Sequence, residues 1–177
     1  MVNKHSATVL VAVSVNFLGN HRRQLKECLY RVLPKLIWPG LKLAVADYVK
    51  AKLQVAWEFL KAAETEFKEA KSEVEVRDAA EKAWGAVVQA TDALIYALKG
   101  RKPLSHFERR KALRELEEEV EAVKRLGLRD RYMARYKALY EAFYEGVVDR
   151  EEVRLELEEA RKYVEDVEEL LGHELSG

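Results

Sequence analysis

The sequence predicts an all-α protein, built as an antiparallel bundle of about five helices. Apolar residues recur at three- and four-residue steps over long stretches after residue 40, the pattern of amphipathic helices. Glycine or proline closes several of these stretches. Apolar residues make up 49% of the 177 residues and charged residues 35%. This balance is typical of a folded globular chain that buries one core.

Residues 1–33 differ from the rest of the chain. The apolar run 7–18 is rich in valine, which favours strands, but no second strand is predicted with which it could pair. We therefore expect residues 1–33 to be a loosely attached or disordered extension. Residues 34–172 should form the helical domain and residues 173–177 a tail. The run 7–18 is shorter than the roughly 20 residues of a membrane-spanning helix, so no membrane span is expected.

The first two long helices are predicted over residues 41–70 and 73–98. Ser72 precedes Glu75 by three residues, a capping-box pattern that opens the second helix. That helix is rich in alanine, so other helices can approach it closely, and we expect it to be the central helix. Gly85 in its middle costs about 1 kcal/mol relative to alanine, which indicates a role in close packing.

Three shorter helices follow, each bounded by a capping residue or a glycine. Ser105 with Glu108, and Asp149 with Glu152, have the spacing of capping pairs. The predicted bounds are 106–126, 129–144 and 150–171.

The charges of the chain balance. Lysine and arginine total 31 residues, as do aspartate and glutamate, so no whole-molecule field attracts nucleic acid. Residues 1–61 are mainly basic and residues 145–177 mainly acidic, which indicates either solvated helix faces or attraction between the two ends. Cys28 is the only cysteine, which excludes an intrachain disulfide and fits a cytoplasmic protein. Scarce asparagine and glutamine beside abundant charge is a thermophile-like bias.

Motifs for catalysis and metal binding are missing from the sequence. The four histidines have no helical ligand spacing, and no zinc-protease, calcium-loop or phosphate-loop motif occurs. We therefore expect neither a metal site nor a cofactor.

An aromatic stripe runs along the fourth predicted helix, where tyrosine recurs every four residues at positions 132, 136, 140 and 144. Tyrosines so placed could form a stacking platform for bases. The interpretation we favour is a face buried against the bundle or a second subunit, since tyrosine packs its ring and hydrates its hydroxyl.

A basic segment, residues 99–114, spans a loop and the start of the third helix. Backbone N–H groups at a helix N-terminus favour an anion, so a phosphate could bind there. The alternative is structural, with capping residues and solvated cations. The candidate binding residues are Lys99, Arg101, Lys102, Ser105, His106, Arg109 and Arg110.

Five runs of the sequence together form a family-like pattern. They are Ala79-Ala-Glu-Lys-Ala-Trp-Gly-Ala-Val-Val-Gln-Ala90, Gly100 followed by Pro103-Leu-Ser-His106, Leu33-Pro-Lys, Tyr48 with Leu53, and Phe143-Tyr-Glu-Gly146. They resemble the HEPN superfamily of helical nucleotide-binding domains, and in particular its archaeal PaREP branch. The resemblance covers residues 33–171.

The resemblance implies a small helical bundle, often a homodimer. Members bind nucleotides or nucleic acid, assist small nucleotidyltransferases, or act as metal-independent ribonucleases. The ribonucleases carry an arginine followed four to six residues later by a histidine, and Arg101 and His106 have this spacing. There the arginine would stabilise phosphate charge and the histidine would move a proton at the 2′-hydroxyl.

The chain departs from the ribonuclease pattern at two positions. Lys102 stands where a small polar residue is usual, and Pro103 interrupts the helix that should carry both side chains. We therefore expect a HEPN-like, cytoplasmic, homodimeric binding module whose nucleotide or nucleic-acid site surrounds His106. A ribonuclease using Arg101 and His106, and a structural partner of a small nucleotidyltransferase, remain as alternatives.

Overall fold

A computed structural model describes residues 39–145 and 149–176. The prediction for residues 1–33 lies outside these ranges. The chain divides into two units between Leu43 and Ala44, and the description below concerns the second. All regular structure within the described ranges is helical, so the all-α prediction is confirmed. In the same ranges, no helix has the length and apolar character needed to cross a bilayer.

The described residues form seven α-helices and one π-helical segment. The elements are α1 (Pro39–Glu69), α2 (Glu73–Lys99), α3 (His106–Glu119), α4 (Glu121–Arg125), α5 (Leu128–Arg135), the π segment (Tyr136–Tyr140), α6 (Glu141–Glu145) and α7 (Arg150–Ser176).

Helices α1 and α2 pack antiparallel. Lys52 Nζ donates to Gln89 Oε1 at 2.6 Å near one end, and Lys82 pairs with Glu66 near the other. Between these pairs, a Cβ atom on Gly85 would lie 3.2 Å from the Phe59 ring. The predicted role of this glycine in close packing is therefore confirmed.

Helix α2 is the central helix, as predicted. Its alanine-rich surface is almost wholly buried, and Thr91 Oγ1 lies 2.8 Å from Tyr163 Oη of α7 in the core. Helix α7 runs antiparallel to α1, to which it is joined by Arg161 and Glu64. The capping box of Ser72 and Glu75 is present at the start of α2.

The later elements differ from the predicted helices. The predicted helix 106–126 is broken at Val120, whose φ of −127° and ψ of 104° are extended. No glycine or proline marks this break, and the β-branched valine adopts extended backbone readily. The predicted helix 129–144 contains the π segment, and α7 continues through 173–176 of the predicted tail. Instead of the five predicted helices, the described ranges contain seven α-helices and one π-helical segment.

Candidate nucleic-acid interface

Trp84 of α2 lies at the centre of an aromatic cluster. Its side chain is buried, and its ring centroid lies 5.5 Å from that of His106 and 5.0 Å from that of Tyr132. The Tyr136 ring lies 5.6 Å away, edge to face. The start of α3 and the fourth predicted helix therefore meet over the middle of α2.

His106 is half-buried in this cluster. Its Nδ1 atom lies 3.2 Å from the Tyr132 hydroxyl oxygen. No described residue forms a hydrogen bond with its Nε2 atom. Burial lowers the pKa of the imidazole, and the charges of Arg109 and Arg110 lower it further. The ring is therefore mainly neutral at pH 7, and its Nε2 atom has no hydrogen-bond partner among the described residues.

The aromatic stripe divides into a buried end and an open end. Tyr132 is fully buried, as the favoured interpretation expected. The π segment then widens the helix and brings the Tyr136 and Tyr140 rings nearly parallel, with centroids 4.9 Å apart and planes 14° apart. Tyr144 continues the series, 4.4 Å from Tyr140, and is 63% exposed. We call Tyr136, Tyr140 and Tyr144 the tyrosine ladder.

Two half-buried arginines flank the tyrosine ladder. The Arg110 guanidinium lies 5.6 Å from the Tyr136 ring centroid, within cation–π range. Arg77 lies 5.9 Å from the Phe143 ring and donates to the Phe143 carbonyl. Among the half-buried arginines of the described part, these are the two with no carboxylate of a described side chain in ion-pair range. Each of these guanidinium groups therefore lies against an aromatic ring without a carboxylate partner among the described side chains.

Arg109, a predicted binding residue, is occupied within the fold. Its Nε and Nη2 atoms donate to the two oxygens of Asp92, at 2.7 and 2.9 Å. Asp92 is 5% exposed. A bidentate pair at this depth holds α3 against α2. The Nε and Nη2 donors of Arg109 are therefore used within the fold, and its positive charge is what acts on His106.

Lys99 and Arg101 lie on the other side of α3. Arg101 Nη2 bonds Glu115 at 2.8 Å, and Lys99 bonds Glu119 at 2.6 Å. Glu115 follows His106 by nine residues, about two and a half helical turns, and therefore lies on the opposite face, roughly 13 Å along the axis. The structure does not bring Arg101 and His106 together within one chain.

The other two candidates lie at the end of α2 and the start of α3. The Lys102 ammonium lies 4.3 Å from the Tyr48 ring centroid, in a cation–π contact. Ser105 caps α3 by accepting from the Glu108 N–H at 3.2 Å, while the Glu108 carboxylate accepts from Leu104 N rather than from the cap itself. The predicted capping pair is thus present in a modified form.

Some features of this site are visible in the sequence and others are not. The four-residue tyrosine repeat is visible in the sequence, but the π segment that aligns two of the rings has no sequence signal. Nothing near Arg77 in the sequence indicates that it reaches Phe143, 66 residues later. Within the described residues, no three histidine, cysteine, aspartate or glutamate side chains are grouped as metal ligands.

Comparisons of the chain with protein-family models, curated proteins and solved structures gave no match.

Proposed function

We propose that this chain is a binding module for nucleic acid, whose site is the surface formed by His106, Arg110 and the tyrosine ladder. The resemblance to the HEPN superfamily implies the same class of ligand. A cytoplasmic homodimer is part of the proposal. The observation that supports it most is the combination of near-parallel tyrosine rings with arginines that lack carboxylate partners.

The chemistry of this surface suits a strand with bases and phosphates. Aromatic side chains offer faces on which bases stack, and arginine offers planar donors to phosphate oxygens. Most other arginines of the bundle are held by carboxylates, as Arg109 is by Asp92. A positive site on a chain with no net charge binds locally and not by a general field.

The test is a fluorescence-polarisation titration of a labelled single-stranded RNA with wild-type protein and two charge-reversal variants. Arg110→Glu should weaken binding at least tenfold. Arg154→Glu makes the same charge change on α7, where its ion pairs are exposed, and should change the affinity less than twofold. Equal loss in both variants would contradict a site at Arg110, and no binding by the wild type would contradict the proposal.

A second candidate is metal-independent ribonuclease activity at His106. A mainly neutral imidazole whose Nε2 has no described hydrogen-bond partner supports this alternative, since proton transfer needs such a group. Against it, Arg101 is bonded to Glu115. Incubating a mixed RNA pool in EDTA with wild type and with His106→Ala tests it. Cleavage by wild type alone would establish the ribonuclease, and no cleavage would leave the binding module.

The start of α3 carries exposed apolar surface that the proposed homodimer would cover. Two large apolar side chains at the start of α3 are exposed, Leu104 by 86% and Phe107 by 66%. Surface of this kind is commonly covered by a partner. Multi-angle light scattering should give twice the chain mass of 20.4 kDa, and a monomer mass would contradict this part of the proposal.

A further inference from the structure

We propose that the tyrosine ladder makes this site selective for single-stranded nucleic acid over duplex, because unpaired bases extend the ladder beyond Tyr144. The inference rests on the proposed function and adds to it the class of ligand. The ligand is an oligonucleotide and not a mononucleotide.

The tyrosine ladder has a buried end and an exposed end. The ladder begins in the aromatic cluster around Trp84 and ends at Tyr144, the one ring of the three that is mostly exposed. Its inner neighbour, Tyr140, lies 4.4 Å away, and Phe143 meets it edge to face at 5.0 Å. The remaining surface of the Tyr144 ring is therefore the next position in a stack.

Whether a base is paired or unpaired decides whether it can stack on the Tyr144 ring. In a duplex, each internal base already stacks on neighbours at both faces, and its edge rather than its face is presented in the grooves. In a single strand, bases can turn outward and stack on aromatic rings. An exposed ring is thus of use to unpaired bases and of little use to a duplex.

Two arginines lie beside rings at different points along the ladder. Arg110 lies against Tyr136, the first ring of the ladder, and Arg77 lies against Phe143, whose ring contacts that of Tyr144. Successive ring centroids are 4.9 and 4.4 Å apart. Stacked nucleotides rise about 3.4 Å each, so the ladder has the length of about three nucleotides. We therefore expect a short strand, rather than one mononucleotide, to contact both arginines.

Arg77 and Arg110 have hydrogen-bond donors that the described part of the fold does not use. Neither Arg77 nor Arg110 has a carboxylate in ion-pair range among the described side chains. Arg77 uses Nε and Nη2 on the Phe143 carbonyl, and its Nη1 atom bonds to no described residue. Each arginine therefore has donors left for a phosphate, which makes the edges of the ladder complementary to a backbone that runs along it.

The experiment measures the affinity for three labelled probes: a 12-nucleotide RNA, a DNA of the same sequence, and the blunt duplex of that DNA. Four proteins are compared: wild type, Tyr144→Ala, Tyr144→Phe and Leu155→Ala. Tyr144 and Leu155 are both exposed, by 63% and 48%, so neither change disturbs the core. Leu155 on α7 is the control for loss of an exposed apolar side chain. Unlabelled uridine monophosphate serves as a competitor.

We expect the wild type to bind at least one single strand tenfold or more tighter than the duplex, with no competition by millimolar uridine monophosphate. Tyr144→Ala should lose fivefold or more on the single strand and nothing on the duplex. Tyr144→Phe should keep the wild-type affinity, since it keeps the ring, and so should Leu155→Ala.

Two results would overturn the inference while the proposed function stands. One is equal binding of single strand and duplex, each weakened by Arg110→Glu. The other is strong single-strand binding that Tyr144→Ala leaves unchanged. Displacement by uridine monophosphate would overturn the claim that the ligand is an oligonucleotide. No binding of any probe, even at low salt, would remove the proposed function and the inference with it.

Discussion

The Nδ1 atom of His106 lies 3.2 Å from the hydroxyl oxygen of Tyr132. Tyr132 is fully buried, and burial raises the pKa of its phenol far above the ordinary value, so the hydroxyl stays protonated. The contact joins the first residue of α3 to the middle of α5. It fixes the imidazole that faces the tyrosine ladder, and it links the protonation of His106 to the stability of the bundle.

Acid should destabilise the protein partly through His106. Burial, Arg109 and Arg110 lower the pKa of this histidine below its ordinary value of 6.5, with Asp92 opposing them. Between the lowered pKa and 6.5, the unfolded chain binds more protons than the folded chain, so stability falls as pH falls through 6.5. Thermal denaturation at pH 7.5 and pH 5.5 should show a smaller loss of Tm for His106→Gln than for wild type.

Carboxylates also titrate at acid pH, so the comparison between the two proteins decides the matter. A Tm loss of equal size in wild type and His106→Gln would show that the histidine is not coupled to folding. The Glu75 carboxylate, whose pKa is lowered by backbone and side-chain hydrogen bonds at a helix cap, is present in both proteins and cancels.

Removing Asp92 should be costly because it leaves Arg109 buried without its partner. The bidentate pair is enclosed, with side-chain exposures of 12% for Arg109 and 8% for Asp92. We expect Asp92→Ala to lower the free energy of unfolding by about 3 kcal/mol, measured by urea denaturation. Asp92→Leu combined with Arg109→Met should recover most of this loss. A loss below 1 kcal/mol for Asp92→Ala would contradict the account.

Thr91 and Tyr163 test the core between α2 and α7. The single Thr91 hydroxyl proton goes to the Val87 carbonyl at 2.7 Å, so Tyr163 donates to Thr91. Thr91→Val should cost about 2 kcal/mol, because the buried Tyr163 hydroxyl then has no acceptor. The double variant with Tyr163→Phe should be more stable than Thr91→Val alone, and the reverse order would show that the Tyr163 hydroxyl is not left unpaired by the loss of Thr91.

Gly85 and Phe59 should show coupled effects on stability. Alanine at position 85 would gain helix propensity of about 1 kcal/mol, but its Cβ would lie 3.2 Å from the ring of Phe59. We expect Gly85→Ala to stabilise the protein more in a Phe59→Ala background than in wild type. Chemical denaturation of the four proteins gives the coupling energy, and an additive result would mean that the ring yields without cost.

The sequence predicted the helices that are long and strongly periodic. The alanine-rich surface of α2 and the Ser72 cap are local signals, and both led to correct statements about the fold. The break at Val120 has no such signal, because an extended valine between two glutamates depends on how α3 and α4 pack. The same limit explains why the π segment was read as ordinary helix.

The candidate site was only partly visible in the sequence. His106 and Arg110 were singled out from a local cluster of charge. Charge density alone could not separate Arg110 from Arg109 and Arg101, because their carboxylate partners, Asp92 and Glu115, lie more than ten residues away in the chain. Arg77 was missed because its neighbour Phe143 is distant in sequence and close only in the fold.

The most direct test of the central claim is to locate bound RNA on the chain. A short single-stranded RNA containing 4-thiouridine would be cross-linked by long-wavelength ultraviolet light to the wild-type protein, which is then digested with trypsin. Mass spectrometry should place the modified residue in the tryptic peptide 138–150, which carries Tyr140 and Tyr144, and Arg110→Glu should reduce the yield. Cross-links confined to α1 or α7, or a yield that Arg110→Glu does not change, would contradict a nucleic-acid site at the tyrosine ladder.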